Sequence, residues 1–127
     1  MIEEDYVSFE VAKLLKENGF NEPCRASYFK KQINYSFTIT NNVLNKLSYA
    51  APTLQMALKW LREVHNLYIN IFVTWKDKIP HYQWSIDNLI TQDTIYDTPC
   101  LEKYEEACNA AIKHCLENLI SINDDNR

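Results

Sequence analysis

Hydrophobic positions change their spacing at one point in the chain, and that point marks its central unit. From Pro52 the sequence PTLQMALKWLREVHN sets Leu54, Ala57, Leu58, Leu61 and Val64 on one stripe at 100° per residue, with Gln55, Lys59, Arg62 and Glu63 opposite. This is an amphipathic helix. Pro52 suits its first turn, where the missing N–H would have no partner anyway, while Ala51 supplies no side-chain cap. From Leu67 the period falls to two: Leu67, Ile69, Ile71, Val73 and Trp75 share one face, and Tyr68, Asn70, Phe72 and Thr74 the other. A strand that follows a helix this directly folds back under it. The pattern therefore predicts an inner strand with its odd-numbered side chains covered by helices.

Around this unit the chain reads as alternating helices and hairpins. Ser8 caps a helix over residues 9–18 whose apolar arc is Val11, Ala12, Leu14 and Leu15; Gly19, the only glycine, stands where a left-handed residue closes a helix, with Phe20 placed to meet Leu15. A strand over 24–29, a turn at Lys30-Lys31 and a strand in which Ile33, Tyr35, Phe37 and Ile39 alternate with Asn34, Ser36, Thr38 and Thr40 make a first hairpin. Residues 43–49 fit a helical turn or a loop equally well. Past the central strand, Lys76-Asp77-Lys78 turns into a strand where Tyr82, Trp84 and Ile86 alternate with His81, Gln83 and Ser85, with Pro80 near its start. Residues 87–98 read as irregular, with a short extended piece at Ile95-Tyr96. A last helix spans 104–120, and the polar tail 121–127 is expected to fray. The order αββαββα predicts one α+β domain over residues 1–120. Its antiparallel sheet would have four or five strands, with three helices on one face. The two αββ halves share too little sequence to mark a duplication.

Composition agrees with a globular chain: 127 residues, 46% hydrophobic and 24% charged. No run approaches the roughly 18 apolar residues of a membrane span, and MIEEDYVSFE carries acids where a secretory signal carries lysines, so the expected place is the cytoplasm. Four cysteines are then expected as thiols. The net charge of −4 hides an asymmetry: residues 1–24 hold six acids and two lysines, 25–80 eight bases and two acids, and 87–127 nine acids and three bases. A basic middle lies between acidic ends.

Three stretches, YVSFEVAKLLKENGFNEPC at 6–24, APTLQMALKWLREVHN at 51–66 and YEEACNAAIKHCLENLI at 104–120, together resemble an uncharacterised family of small proteins from phages and integrated elements of gut Bacteroidales. They cover both ends and the centre, about two fifths of the chain. Members of that family carry Ser or Thr ahead of the YEEA tetrapeptide, in a capping box with its second Glu; here Lys103 stands opposite Glu106. The resemblance implies a phage-like or mobile-element origin, a bacterial host and a fold. It brings no catalytic residues.

Site chemistry is sparse. Cys108 and Cys115, seven apart, share the helical stripe of Ala107, Ala111, Ile112 and Leu116, which reads as core, while His114 points away from it and zinc-type CxxC or HxxxH pairs are missing. Cys24 and Cys100 have no partner pattern. His65, His81 and His114 fall on three different elements, and one glycine, spent on a helix stop, leaves no phosphate loop or nucleophile elbow. The acids Glu3, Glu4, Asp5, Glu105 and Glu106 suit helix N-termini. Neither enzyme, cofactor nor metal is expected.

What remains is the second face of the predicted sheet, with Tyr68, Asn70, Phe72, Thr74, His81, Gln83, Ser85, Asn34, Ser36, Thr38 and Thr40, rich in amides and hydroxyls and without formal charge. Lys30 and Lys31 at one hairpin turn, and Lys76 and Lys78 at the other, would flank that face with positive charge if the turns lie together. The expectation is a non-enzymatic accessory protein that binds another protein or itself through this face, with Tyr68, Phe72, His81, Gln83 and the four lysines as candidate contacts. The alternative is a nucleic-acid-binding domain in which bases stack on the aromatics and the lysines track phosphate. An enzyme of unknown type is third.

Overall fold

The structure, a computed structural model, describes residues 2–96 and 99–120; the predicted tail 121–127 lies outside the described residues. In chain order the elements are α1 (Phe9–Glu17), β1 (Cys24–Phe29), β2 (Gln32–Ile39), β3 (Ser48–Ala50), α2 (Leu54–His65), β4 (Leu67–Lys76), β5 (Ile79–Asn88), β6 (Thr94–Tyr96) and α3 (Tyr104–His114), which runs on into a π-helical turn, Cys115–Ile120. The class is α+β with three α-helices, as the sequence predicts. The strands form two antiparallel three-stranded sheets, β2-β1-β3 and β4-β5-β6, in place of the predicted single sheet of four or five strands.

Two short strands cause the difference. β3 begins inside residues 43–49, which fit a helical turn or a loop by sequence, and pairs with β1 on the side away from β2, with Tyr28 opposite Tyr49. Lys16 then occupies the outer side of β3: its Nζ donates to the carbonyls of Asn45 (2.6 Å) and Ser48 (2.8 Å). In the second sheet β6 pairs with β5, so β5 is central and β4 is an edge strand, not the inner strand predicted. The central strand is thus the first of the hairpin in one sheet and the second in the other, and the two halves are not structural repeats.

The predicted faces hold, with limits. β4 and β5 pair in one unbroken register that sets Ile69 opposite Ile86 and Ile71 opposite Trp84. Leu67, Trp84 and Ile86 are buried and Ile69 and Ile71 half-buried, but Val73 and Trp75 are exposed, Trp75 by 70%. The helices cover only the first half of the hairpin. In the first hairpin the register slips between Cys24 and Ala26, leaving Phe37 93% exposed despite its place in the apolar alternation.

Helix ends follow local chemistry. Ser8 Oγ accepts from the Val11 N–H; at the other end Gly19 (φ 87°) lets Phe20 N–H reach the Leu15 carbonyl and Gly19 N–H that of Lys16, a Schellman closure. α2 begins later than the Pro52 start predicted. Thr53 is its cap, its hydroxyl accepting from the Met56 N–H, and Pro52 lies outside the helix with its carbonyl taken by Val7 N–H. Asn66, in the left-handed region at φ 58°, turns the chain straight into β4. The buried stripe of α2 is Leu54, Ala57, Trp60 and Leu61; Trp60 packs edge-on against Phe20, and Val64, assigned inward by the helical wheel, is exposed.

At the centre is α3. Ala107, Cys108, Ala111, Ile112, Cys115, Leu116 and Ile120 are each at most 1% exposed, and the helix touches α1, α2, β4 and β5. Asn109 ties it to α1: its Oδ1 accepts from the Ser8 N–H at 2.9 Å while its Nδ2 donates to the Glu105 carbonyl. The weak point of α3 is its start, where Lys103 is the cap residue and makes no side-chain cap bond. Lys103→Ser completes a capping box with Glu106 and is expected to raise stability by about 1 kcal/mol, read as a higher urea midpoint at unchanged slope. An unchanged or lower midpoint would contradict this.

Candidate functional site

The face of the second sheet turned away from the helices is assembled by the β4–β5 register. It sets Phe72 opposite Gln83 and Thr74 opposite His81, with Asn70 opposite Ser85 and Tyr68 opposite Asp87. Four of the predicted contacts, Tyr68, Phe72, His81 and Gln83, therefore share one surface. Tyr68 and Phe72 are 40% and 37% exposed, and His81 and Gln83 are half-buried. Asn34, Ser36, Thr38 and Thr40 do not join them, because they belong to the first sheet or the loop after it.

Sequence reasoning missed a charge on this face. Asp87 continues the His81, Gln83, Ser85 alternation by one step, and its carboxylate accepts from Asn70 Nδ2 at 3.0 Å and from Thr94 Oγ1 at 2.5 Å. The alternation predicts a strand that ends at Ile86, whereas β5 runs on to Asn88. β6 adds Thr94 and an exposed Tyr96, the latter opposite Ser85. Asp87 thereby ties β4, β5 and β6 together, giving the surface a fixed polar centre with aromatic rings around it.

The lysines behave differently. Lys30-Lys31 and Asp77-Lys78 are the central pairs of two-residue turns, all four with φ between 52° and 65°, the type I′ geometry that matches the twist of a hairpin. The two turns are not neighbours. Lys31 lines a cleft with Lys113 and Glu117 at the C-terminal part of α3, whereas Tyr82, three residues into β5, stacks edge-on against Tyr104 at the N-terminus of α3. Lys76 and Lys78 lie beyond that end. The condition under which four lysines would flank one face is not met.

Other chemistry is dispersed. His65 packs on Trp60 and His114 on Trp84, each with ring centroids about 5 Å apart, and His81 lies on the outer face. Among the described residues no group of three or more His, Cys, Asp or Glu side chains is placed to share a metal ion. A cleft of about 410 Å³ at the start of α2 is lined by Tyr6, Arg25, Pro52, Thr53 and Met56. The cleft between α1 and α3, about 340 Å³, sets Lys13, Lys31 and Lys113 against Glu10, Glu17 and Glu117, and their charges balance. Neither cleft includes Tyr68, Phe72, His81 or Gln83.

Comparison with protein-family models, curated proteins and solved structures found no match.

The cysteines are free thiols; Cys24, Cys108 and Cys115 are buried and Cys100 is exposed beside Thr74. Burial pushes the Cys108 thiol up to about 11 and that of Cys115 up to about 12 from an ordinary 9.0. Folding thus favours the neutral thiols. Their contribution is intact below about pH 9, where the unfolded chain also keeps its protons, and is lost as pH rises from there toward 11–12, at about 1.4 kcal/mol per unit of difference. Native protein at pH 8 is expected to react with a thiol reagent rapidly at Cys100 alone, and its urea midpoint to fall between pH 8.5 and pH 10.5. Rapid reaction of Cys108 or Cys115 in the native state, or a midpoint indifferent to alkali, would overturn this assignment.

Proposed function

We propose that the chain is a non-enzymatic accessory protein of a phage or mobile element. It acts in the cytoplasm of a bacterial host and binds another protein, or itself, through the outer face of the β4-β5-β6 sheet. The observation that carries this reading is the outer face itself: Tyr68 and Phe72 exposed on the same face of β4, one on each side of Asn70, next to the Asn70–Asp87–Thr94 hydrogen bonds. Rigid aromatic rings beside satisfied polar groups suit a partner surface, since little side-chain freedom is lost on contact. The resemblance of 6–24, 51–66 and 104–120 to phage and mobile-element proteins supports the setting. No helix among the described residues is long and apolar enough to cross a membrane.

Nucleic acid is the second reading, and separation of the two lysine pairs by the length of α3 counts against it. Copurification of the tagged protein from a host lysate, with protein and nucleic acid both analysed, tests the two. A protein partner is expected to be retained when Lys30, Lys31, Lys76 and Lys78 are changed to Gln. With Tyr68→Ala and Phe72→Ala it is expected to weaken at least tenfold, about 1.4 kcal/mol. Nucleic acid in the eluate that disappears with the four lysine changes would replace the proposal with its alternative.

A further inference from the structure

We infer that β4 pairs with β4 of a second copy, antiparallel about a two-fold axis, joining two β4-β5-β6 sheets into one of six strands. This rests on the self-binding part of the reading above but joins the copies through the backbone edge of the strand, with outer-face side chains meeting only as neighbours across the new pair.

The hairpin geometry fixes what that edge presents. Lys76 and Ile79 flank the two-residue turn Asp77-Lys78 and form a doubly hydrogen-bonded pair, from which bonded and non-bonded pairs alternate along the ladder. Lys76, Thr74, Phe72 and Asn70 thus turn their N–H and C=O groups toward β5. Trp75, Val73, Ile71 and Ile69 turn theirs to the open side, where no backbone hydrogen bond from another described strand or loop meets them.

Sheet edges ordinarily carry devices that prevent pairing with another chain. β2 is bulged, β3 and β6 are three residues long, and Lys16 occupies the carbonyl of Ser48 in β3. β4 has none of these. It runs ten residues in unbroken register, with no proline or charge from Leu67 to Trp75. Val73 and Trp75, 45% and 70% exposed, extend past the helices along the same edge.

The strand is complementary to itself. With Phe72 opposite Phe72 of the second copy, residues 68–76 all find partners. Val73 meets Ile71, Trp75 meets Ile69, Thr74 meets Asn70, and the Lys76 ammonium lands over the ring of Tyr68. Sliding the copies by two residues either way sets Phe72 against Asn70 or Thr74. No two like charges oppose each other in the favoured register, although each chain carries a net −4. Two copies can meet along β4, uncharged from Leu67 to Trp75 and, unlike the uncharged edge strand β2, in unbroken register, and a second copy is therefore the occupant this edge fits.

Molar mass in solution, measured by light scattering over a range of concentrations, tests the inference on the full chain. Wild type is expected at twice the 15.0 kDa of one chain. Val73→Pro removes an N–H that faces the open side and leaves the β4–β5 ladder intact, so this variant is expected to be a folded monomer with an unchanged circular dichroism spectrum. Phe72→Cys, in a Cys100→Ser background, gives a readout independent of how Val73→Pro folds. The two cysteines would face each other across the axis and form a covalent dimer on mild oxidation, while Thr38→Cys in the same background would not. A wild-type mass of 15.0 kDa throughout, a folded Val73→Pro dimer, or no covalent dimer from Phe72→Cys would overturn the inference. None of these results touches binding of another protein by the outer face, which is read by capture of that protein from a host lysate.

Discussion

One helix must meet two other helices and a hairpin at once, and the small side chains of α3 make that possible. Ala107, Cys108, Ala111 and Cys115 put little bulk between the axis of α3 and its neighbours, so α1, α2 and the β4–β5 hairpin can all approach it closely. A three-stranded sheet is of marginal stability by itself and needs a second layer to cover its apolar face. The second sheet receives that layer from α3 and α2. The first receives it from α1, through Phe9 against Tyr28 and Tyr49, and α1 is in turn tied to α3 by Asn109 and by the Lys113–Glu10 ion pair. The ion pair is exposed and contributes little. The close packing against α3 couples the two halves, together with Trp60 of α2 against Phe20 and the Val7–Pro52 backbone bond.

That arrangement determines what is left uncovered. α3 follows β5 from Tyr82, beside Tyr104, to Ile86, which shares a cleft with Leu119, so the helical layer ends before the hairpin does. The overhanging part exposes apolar groups on both faces, Val73 and Trp75 on one and Phe72 and Ile79 on the other. Because the helical packing falls on the face of Ile69, Ile71, Trp84 and Ile86, the outer face and the β4 edge are open together. Both proposed contacts thus follow from one feature, a hairpin that helices cover on one face only.

The legible parts of this structure were those set by neighbours in sequence. Ser8 and the Gly19-Phe20 pair announced both ends of α1, and the parity of 67–75 identified the faces of β4, which placed Tyr68, Phe72, His81 and Gln83 together. Properties set by distant residues were not legible. Residues 43–49 have no periodicity, and β3 exists only because β1 offers Ser27 to Phe29 as partners. A run of inward apolar residues looks the same on an edge strand as on an inner one, so the rank of β4 depended on where β6 would pair. The helical wheel ranked Val64 with Leu61, yet Trp60, sharing its face with Phe20, took the buried place. Asp87 puts a charge at the end of the apolar-polar signal, so only its pairing with Tyr68 and Thr94 shows that it belongs to the strand. Whether two turns lie at one end of a fold is likewise a tertiary property, and Lys30-Lys31 and Lys76-Lys78 were separated by it.

Native-state hydrogen exchange, resolved by residue, tests the dependence on α3 most directly. If α3 holds both halves, the slowest amides of β1, of β5 and of the Ala107–Ile112 segment exchange with one common free energy equal to that of global unfolding, and Ala111→Leu lowers all three by the same amount. Exchange of β1 at a distinctly lower free energy, or a loss on Ala111→Leu confined to β5 and α3, would mean that the two halves stand independently and would contradict the account.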